Sequence, residues 1–463
     1  MKKTLLLSVV ASTLIMAGGD IEPVAAPVVE ASSWEWSGTA KVYYQTMDHE
    51  NFTIKGAANP EARVVGNDND FFDRRSSAAD AGLQLRVSNK DVIAGIGFGA
   101  ELTAINTLNL VKYGVVTASM QSAGLNAFSP DADDALSSAW VSQAYLTYGF
   151  GNTSFKVGRQ ELPKSLSPFA FSEGWNVFKN TFEAALVVNT DLPDTTLVGA
   201  YVNRANGSLS YAGSIVAITA RSPLASYNLL NPGDLADWRD VGDNGTYMLT
   251  AQNKSIANLT LTGTFYYAPS FVKATDMDVT VFWADANYNN ADFPVTFAAQ
   301  GGVMDYDAIA TTDTQTTAFG ARIGGKIAGF ALSAAYTSVS KDANGLTVTN
   351  FGTGVKSPLY TQQVLNQVFI DGHFGDSDTW QVKGVYKGLG GKFVAQYANS
   401  DTEADWNYGE FDFIYATKFN TSFGDIGAKA MWMNQDFDGA PKAGVTTQDD
   451  SNNVIRLIAS YDF

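Results

Sequence analysis

The chain of 463 residues contains no cysteine, which excludes disulfides, thiolate metal sites and thiol redox chemistry. Histidine occurs only at His49 and His373, and neither has a serine or carboxylate at informative spacing. A serine–histidine hydrolase is therefore excluded, and the chain is read as not an enzyme. Proline is limited to 13 residues. Long apolar runs are missing as well, with one exception from Leu5 to Ala17 behind Lys2 and Lys3. That run falls short of the about 20 residues a membrane-spanning helix needs, and it has the layout of a secretory signal. Residues 1–17 are expected to be a signal peptide, with cleavage after Ala17 or as late as Ala31, which leaves a single domain over 32–463. Basic charge is scarce too: 30 Lys and Arg against 47 Asp and Glu give a formal charge of −17. Phosphate backbones need basic surface, so nucleic acid is excluded as a partner.

What is present is aromatic and glycine-rich: 42 Gly, 28 Phe, 20 Tyr and 9 Trp. The residues alternate. Trp34, Trp36, Gly38, Ala40, Val42 and Tyr44 share one face of a strand, while Glu35, Ser37, Thr39, Lys41 and Gln45 share the other. The pattern recurs in about eighteen segments, from 34–46 to 453–463, many of them 9–12 residues long. A tilted strand needs about that length to cross a hydrocarbon layer, and soluble strands are usually about five or six residues. Aromatics end the apolar faces, as at Phe411 and Tyr415 or Tyr461 and Phe463, where a ring suits the membrane–water boundary. Every second connection is short and rich in Gly, Asn, Asp or Pro, including a turn placed at Asn89-Lys90-Asp91. These features predict an all-β transmembrane antiparallel barrel of about 18 strands, with short periplasmic turns and long extracellular loops. The C-terminal strand ends on Phe463, like an outer-membrane assembly signal.

Parity then assigns an interior. Arg86, Lys156, Arg322, Lys383, Lys429 and Arg456 fall on inward positions, as do Glu35, Glu101, Glu410 and Asp412. A lumen of mixed sign suits a hydrated pore. The loop 161–180 is unusually apolar, holding Glu161, Lys164, Phe169, Phe171, Glu173 and Trp175. Exposing such side chains costs about 1.5–3 kcal/mol each, so this third loop is expected to fold inwards as a constriction. Gly95-Ile96-Gly97-Phe98-Gly99-Ala100 fits GxGxxA formally, but it falls within a strand expected over 92–107 with no helix after it. The dinucleotide reading fails on context. No cofactor is expected. The acidic groups Asp68, Asp70, Asp73 and Asp131, Asp133, Asp134 could at most hold Ca²⁺ or bridge lipopolysaccharide, and solvated loops are the commoner reading.

Val157-Gly158-Arg159-Gln160-Glu161-Leu162-Pro163, followed by Thr181-Phe182-Glu183-Ala184, resembles the Gly-Arg-Gln…Phe-Glu-Gly signature of OprD-type (Opr family) porins. The segment 158–189 is also similar to the major outer membrane porins of Campylobacter-like bacteria. Ala184 stands where that signature has glycine. The resemblance implies an eighteen-stranded barrel in the Gram-negative outer membrane and passive diffusion of small hydrophilic solutes and ions. It also implies a preference for cations, a homotrimer, and Lys156, Arg159 and Glu161 near the constriction. Strand parity alone points Arg159 outwards. The alternative function is an adhesin that uses long outer loops.

Overall fold

In the computed structural model the described residues are 34–49, 70–72, 77–106, 137–174, 177–206, 238–272, 277–290, 294–307, 314–403, 406–439 and 450–463. The expected signal peptide, Trp175, and Asp68, Asp73, Asp131, Asp133 and Asp134 lie outside them. The alternating segments form one antiparallel sheet. It begins with β1 (Glu35–His49), β2 (Ser77–Ile93), β3 (Ile96–Asn106), β4 (Ser137–Phe150), β5 (Thr153–Gln160), β6 (Phe182–Asn189) and β7 (Thr195–Asn206). It continues with β8 (Trp238–Asp240), β9 (Thr246–Asn253), β10 (Leu259–Val272), β11 (Met277–Asn289), β12 (Val295–Asp307) and β13 (Thr316–Ile327). The last strands are β14 (Phe330–Lys341), β15 (Ser377–Gly388), β16 (Gly391–Thr402), β17 (Trp406–Thr421), β18 (Gly424–Gly439) and β19 (Asp450–Asp462). Apart from β8 and β9, each pairs with its chain neighbour, and β1 pairs with β19, so the sheet closes on itself. Both β8 and β9 pair along β7, end to end. They are two parts of one stave, and the barrel has eighteen.

Closure is what lets strands sit in lipid, where an unpaired backbone group has no water to bond. The outward face supports that setting. Leu85, Phe265, Phe319, Val382 and Leu457 point outwards and are exposed, and aromatic pairs bracket the band. One girdle includes Tyr201–Tyr247, Trp380–Tyr397 and Phe411–Trp432, with ring centroids 5.2, 5.3 and 5.6 Å apart. The other includes Phe330–Tyr386 and Phe393–Tyr415, at 4.9 and 4.7 Å.

Three of the short turns have both central residues at positive φ: Ala94-Gly95, Ala328-Gly329 and Leu389-Gly390. That is the twist a two-residue hairpin requires. The first corrects the turn expected at Asn89-Lys90-Asp91. Those residues lie within β2, where the register with β3 shifts between Asn89 and Ile93. The chain therefore reverses at Ala94-Gly95, and the glycine motif begins in a turn.

The seam depends on one glycine. Gly38 N–H donates to Phe463 O at 2.8 Å, and Phe463 N–H donates to Gly38 O at 3.0 Å. The Phe463 ring fills the space above Gly38, where a Cβ would lie 2.3 Å from it. Gly38→Val is expected to unseat the terminal ring and cost about 1–3 kcal/mol, as overpacking does. Urea unfolding of the refolded barrel measures this, and unchanged stability would refute the seam role.

Candidate functional site

The first inner loop enters the lumen because of how β5 ends. Gly158 has φ +124°, and a Cβ there would lie 2.2 Å from the Ala144 carbonyl oxygen. Only glycine adopts that conformation readily. Gln160, fully buried, then fixes the strand end by donating from Nε2 to Ala184 O at 2.9 Å. Beyond it, residues 161–174 and 177–181 fold into the barrel, as expected. Leu162, Leu166, Phe169, Ala170 and Phe171 are all buried. Phe169 sits among Tyr266, Trp283 and Phe351, with centroids 5.9, 5.3 and 5.6 Å away. Its backbone N–H donates to Tyr266 Oη at 3.1 Å. The wall that receives it is apolar: Val198, Ala200, Val202, Met248, Val279, Val281 and Trp283 are buried on the inner face. A uniformly polar inner face, the expectation from alternation, does not hold on β7 and β9–β11.

A second inner loop, 342–376, lies against the first. Its sequence, mixed in polarity, carries no signal that it folds inwards. Leu346, Val348, Phe351, Leu359, Phe369 and Ile370 are buried, and Gln367–Ile370 forms a single helical turn. Glu173, 2% exposed, joins the two loops. Its Oε1 accepts Asn350 Nδ2 at 2.9 Å and Lys356 N–H at 3.0 Å, and it also accepts the Thr353 hydroxyl. Lys164 Nζ donates to Ser357 O at 2.8 Å and lies 5.1 Å from the Phe171 ring. Burial lowers both Lys164 and Lys356 to about 8, and the nearby Glu173 carboxylate opposes this. Within the same loop, burial raises Asp371 to about 8 and lowers His373 to about 4. Among the described residues, Glu161 pairs with Lys179 at 2.5 Å.

The opposite wall carries most of the inward charges, beside a smaller buried apolar cluster in which Tyr43, Ile414 and Met433 pack on Val177 and Phe178 of the first loop and Leu365 of the second. Arg86 pairs with Glu101, which also accepts Gln84 Nε2 at 3.0 Å. Lys156 lies 3.8 Å over the Tyr145 ring. Arg456 Nε donates to Gln45 Oε1 at 2.8 Å, and its guanidinium lies 5.4 Å from the Tyr43 ring. Arg322 stacks 4.5 Å over Tyr360 of the second inner loop. The cations form an arc: Lys383 has Arg322 and Lys392 as like-charged neighbours, Lys429 has Lys392 and Arg456, and Lys41 has Lys429 and Arg86. Among the described residues Lys383, Lys392 and Lys429 make no ion pair. Glu410 and Asp412 also point inwards, but the second inner loop covers both.

Arg159 is the correction. In the adjacent row of the ladder, Gln160–Phe182–Ala205, Phe182 and Ala205 face inwards against Gly352 of the second loop, so the next row, Arg159 and Glu183, points out. Arg159 Nε donates to Glu183 Oε1 at 2.8 Å, and its guanidinium stacks on Trp238 at 4.3 Å. Arg204 and Asp240, 3.2 Å apart, extend this outer cluster. The parity of β5 is kept, and Arg159 does not line the lumen.

No protein-family model matches the chain, and no curated protein matches it in sequence. Solved structures do match in shape. Pseudomonas aeruginosa OccK1 (OpdK) aligns with TM-score 0.63 at 12% identity, covering 93% of this chain and 98% of that one. OpdK with vanillate gives 0.63 at 13%, with coverage of 93% and 98%. OccK8 (OprE) gives 0.60 at 18%, again covering 93% and 98%. These are OprD-type outer-membrane barrels, and theirs is the fold of this chain.

Because Lys164 falls from its ordinary 10.5 to about 8 on burial, the unfolded chain holds a proton there that the folded chain releases between those two values. Its contribution to stability therefore rises from pH 8 to pH 10.5 and is lost as pH falls back to 8. Lys164→Met is expected to be about 1–3 kcal/mol more stable than the unsubstituted protein at pH 7. The difference should vanish near pH 10.5. Urea unfolding at both values checks this.

Proposed function

We propose that the protein is a passive channel of the Gram-negative outer membrane that admits small hydrophilic solutes and ions. The observation that carries this reading is the divided lumen. The two inner loops pack mainly against the apolar wall of β7 and β9–β11, while the wall on the other side keeps a row of cations, of which Lys383, Lys392 and Lys429 have no ion-pair partner among the described residues. A soluble or purely structural barrel gains nothing from unpaired cations on an inner wall, since each costs desolvation. A water-filled path stabilises them. His373 is packed inside a loop against Phe374, with centroids 4.9 Å apart.

The formal charge of −17 and the family resemblance favour cations overall. The arc Arg322–Lys383–Lys392–Lys429–Lys41 favours the opposite bias at the narrowing, because fixed positive charge raises the local concentration of anionic groups. In this reading the outer acidic residues attract cations to the entrance, while the wall selects solutes that carry an anionic group. Lipid and lipopolysaccharide surround the outward band, residues 1–17 direct export, and the assembly is a homotrimer. The adhesin alternative rests on outer loops beyond the described residues, and no described feature favours it.

The test is reversal potential in a salt gradient across planar bilayers. Lys429→Glu and Arg322→Glu are expected to shift it towards cations, and Arg159→Gln, on the outer face, should leave it unchanged. A protein that forms no conducting pores would refute the channel reading, and unmoved potentials would refute the role of the wall.

A further inference from the structure

We propose that Glu410 is the positioning residue that holds the second inner loop across the lumen and thereby sets the width of the channel. The inference rests on the channel reading above and concerns what fixes its bore. The loop 342–376 has little regular structure, with one helical turn over Gln367–Ile370, so its buried backbone groups need partners from elsewhere. Much of what it touches can move with it. Its first half is tied to the other inner loop: Phe351 N–H donates to Phe169 O at 2.7 Å, Asn350 Nδ2 donates to Phe171 O at 2.7 Å, and Glu173 gathers three donors.

The second half is fastened to the barrel itself: Thr361 is bonded to Thr337 on β14 and through its carbonyl to Gln381 on β15, and β17 fastens the stretch that follows, 364–369. Glu410, with none of its surface exposed, accepts Val364 N–H at 3.0 Å and Leu365 N–H at 2.8 Å on Oε1. Its other oxygen, Oε2, accepts the Tyr408 hydroxyl at 2.7 Å. The Tyr408 ring in turn stacks on Phe369 of the loop, with centroids 3.9 Å apart and planes 3° from parallel. Gln435 Nε2 on β18 donates to Tyr408 Oη at 2.8 Å, which locks the ring to the wall. Lys356 Nζ closes the loop on itself through Gln363 O and Val364 O, at 3.1 and 2.7 Å. Val364 is thus held on both backbone groups, by a wall carboxylate on one side and a loop ammonium on the other.

One acceptor oxygen shared by two buried N–H groups satisfies both at once. Removing it withdraws the acceptor that both share, and in a buried site that loss must be met by water. Water can enter only if the loop lifts from β17. Lifting the loop opens the lumen, because the first inner loop is itself fastened, through Phe169 on Tyr266 and Trp283 and through Val177 O, which accepts Lys41 Nζ at 2.6 Å, and cannot move to fill the space.

The experiment is single-channel conductance in planar bilayers, together with the size of polyethylene glycol that enters the pore. Barrel assembly is read separately by heat-modifiable migration. Glu410→Ala is expected to raise conductance about twofold and admit larger polymers, since pore diameter governs both. Phe369→Ala lies in the loop, spares the barrel wall and should act in the same direction, so it decides the matter if Glu410→Ala fails to assemble. Glu410→Gln keeps an acceptor oxygen for both N–H groups and should stay near the unsubstituted value. Unchanged conductance and size limit in the assembled variants would overturn the proposal, as would Glu410→Gln behaving like Glu410→Ala. Absence of pores in the unsubstituted protein would instead count against the channel reading.

Discussion

Backbone hydrogen bonding in a medium without water is the constraint on which the rest of this structure depends. A strand in hydrocarbon must pair on both edges, so eighteen staves have to close. The closure is made by β1 and β19 over eleven residue pairs and finished by the reciprocal bonds between Gly38 and Phe463. Alternation follows from it, since each stave presents one face to lipid and the other to the lumen. Short type I′ turns on one side hold the register, and length is left to the loops on the other.

A closed barrel of this size has an interior too wide for its own wall side chains to fill, and two loops take up that space. Their apolar residues find a matching apolar inner wall on β7 and β9–β11, while the wall from β13 round to β2 keeps its cations. The placing of the loops against the apolar wall, with a smaller apolar contact to Tyr43 and Met433 on the charged side, is therefore a packing result. It leaves the basic arc on the wall beside the loops, which in the channel reading is where wall charge acts on a passing solute. The buried carboxylates Glu173 and Glu410 belong to the fastening of the loops, although parity alone would have counted Glu410 with the wetted charges.

Much of this was legible in the residues. The alternation located every stave, because a period of two repeated over eighteen segments averages out local ambiguity. The apolar segment 161–180 signalled an inward loop because exposure would have been costly. The second loop gave no comparable signal: 342–376 is mixed in polarity, and its buried residues, such as Thr361 and Asn366, satisfy themselves within the fold. The Gly-Arg-Gln motif drew attention to the right strand end, yet its functional element is Gly158, whose positive φ redirects the chain. Its arginine stabilises the outer surface.

The sequence by itself determined the membrane barrel, the strand count, the seam at the last aromatic residue and the side on which most charges fall. These follow from periodicity, which is a local property. Only the tertiary structure decided which inward charges remain wet, that Glu410 anchors a loop, and that β2 turns at Ala94-Gly95. Those outcomes depend on which distant segment covers which stretch of wall, and no local period encodes a contact between residues more than forty positions apart, as between Val364 and Glu410.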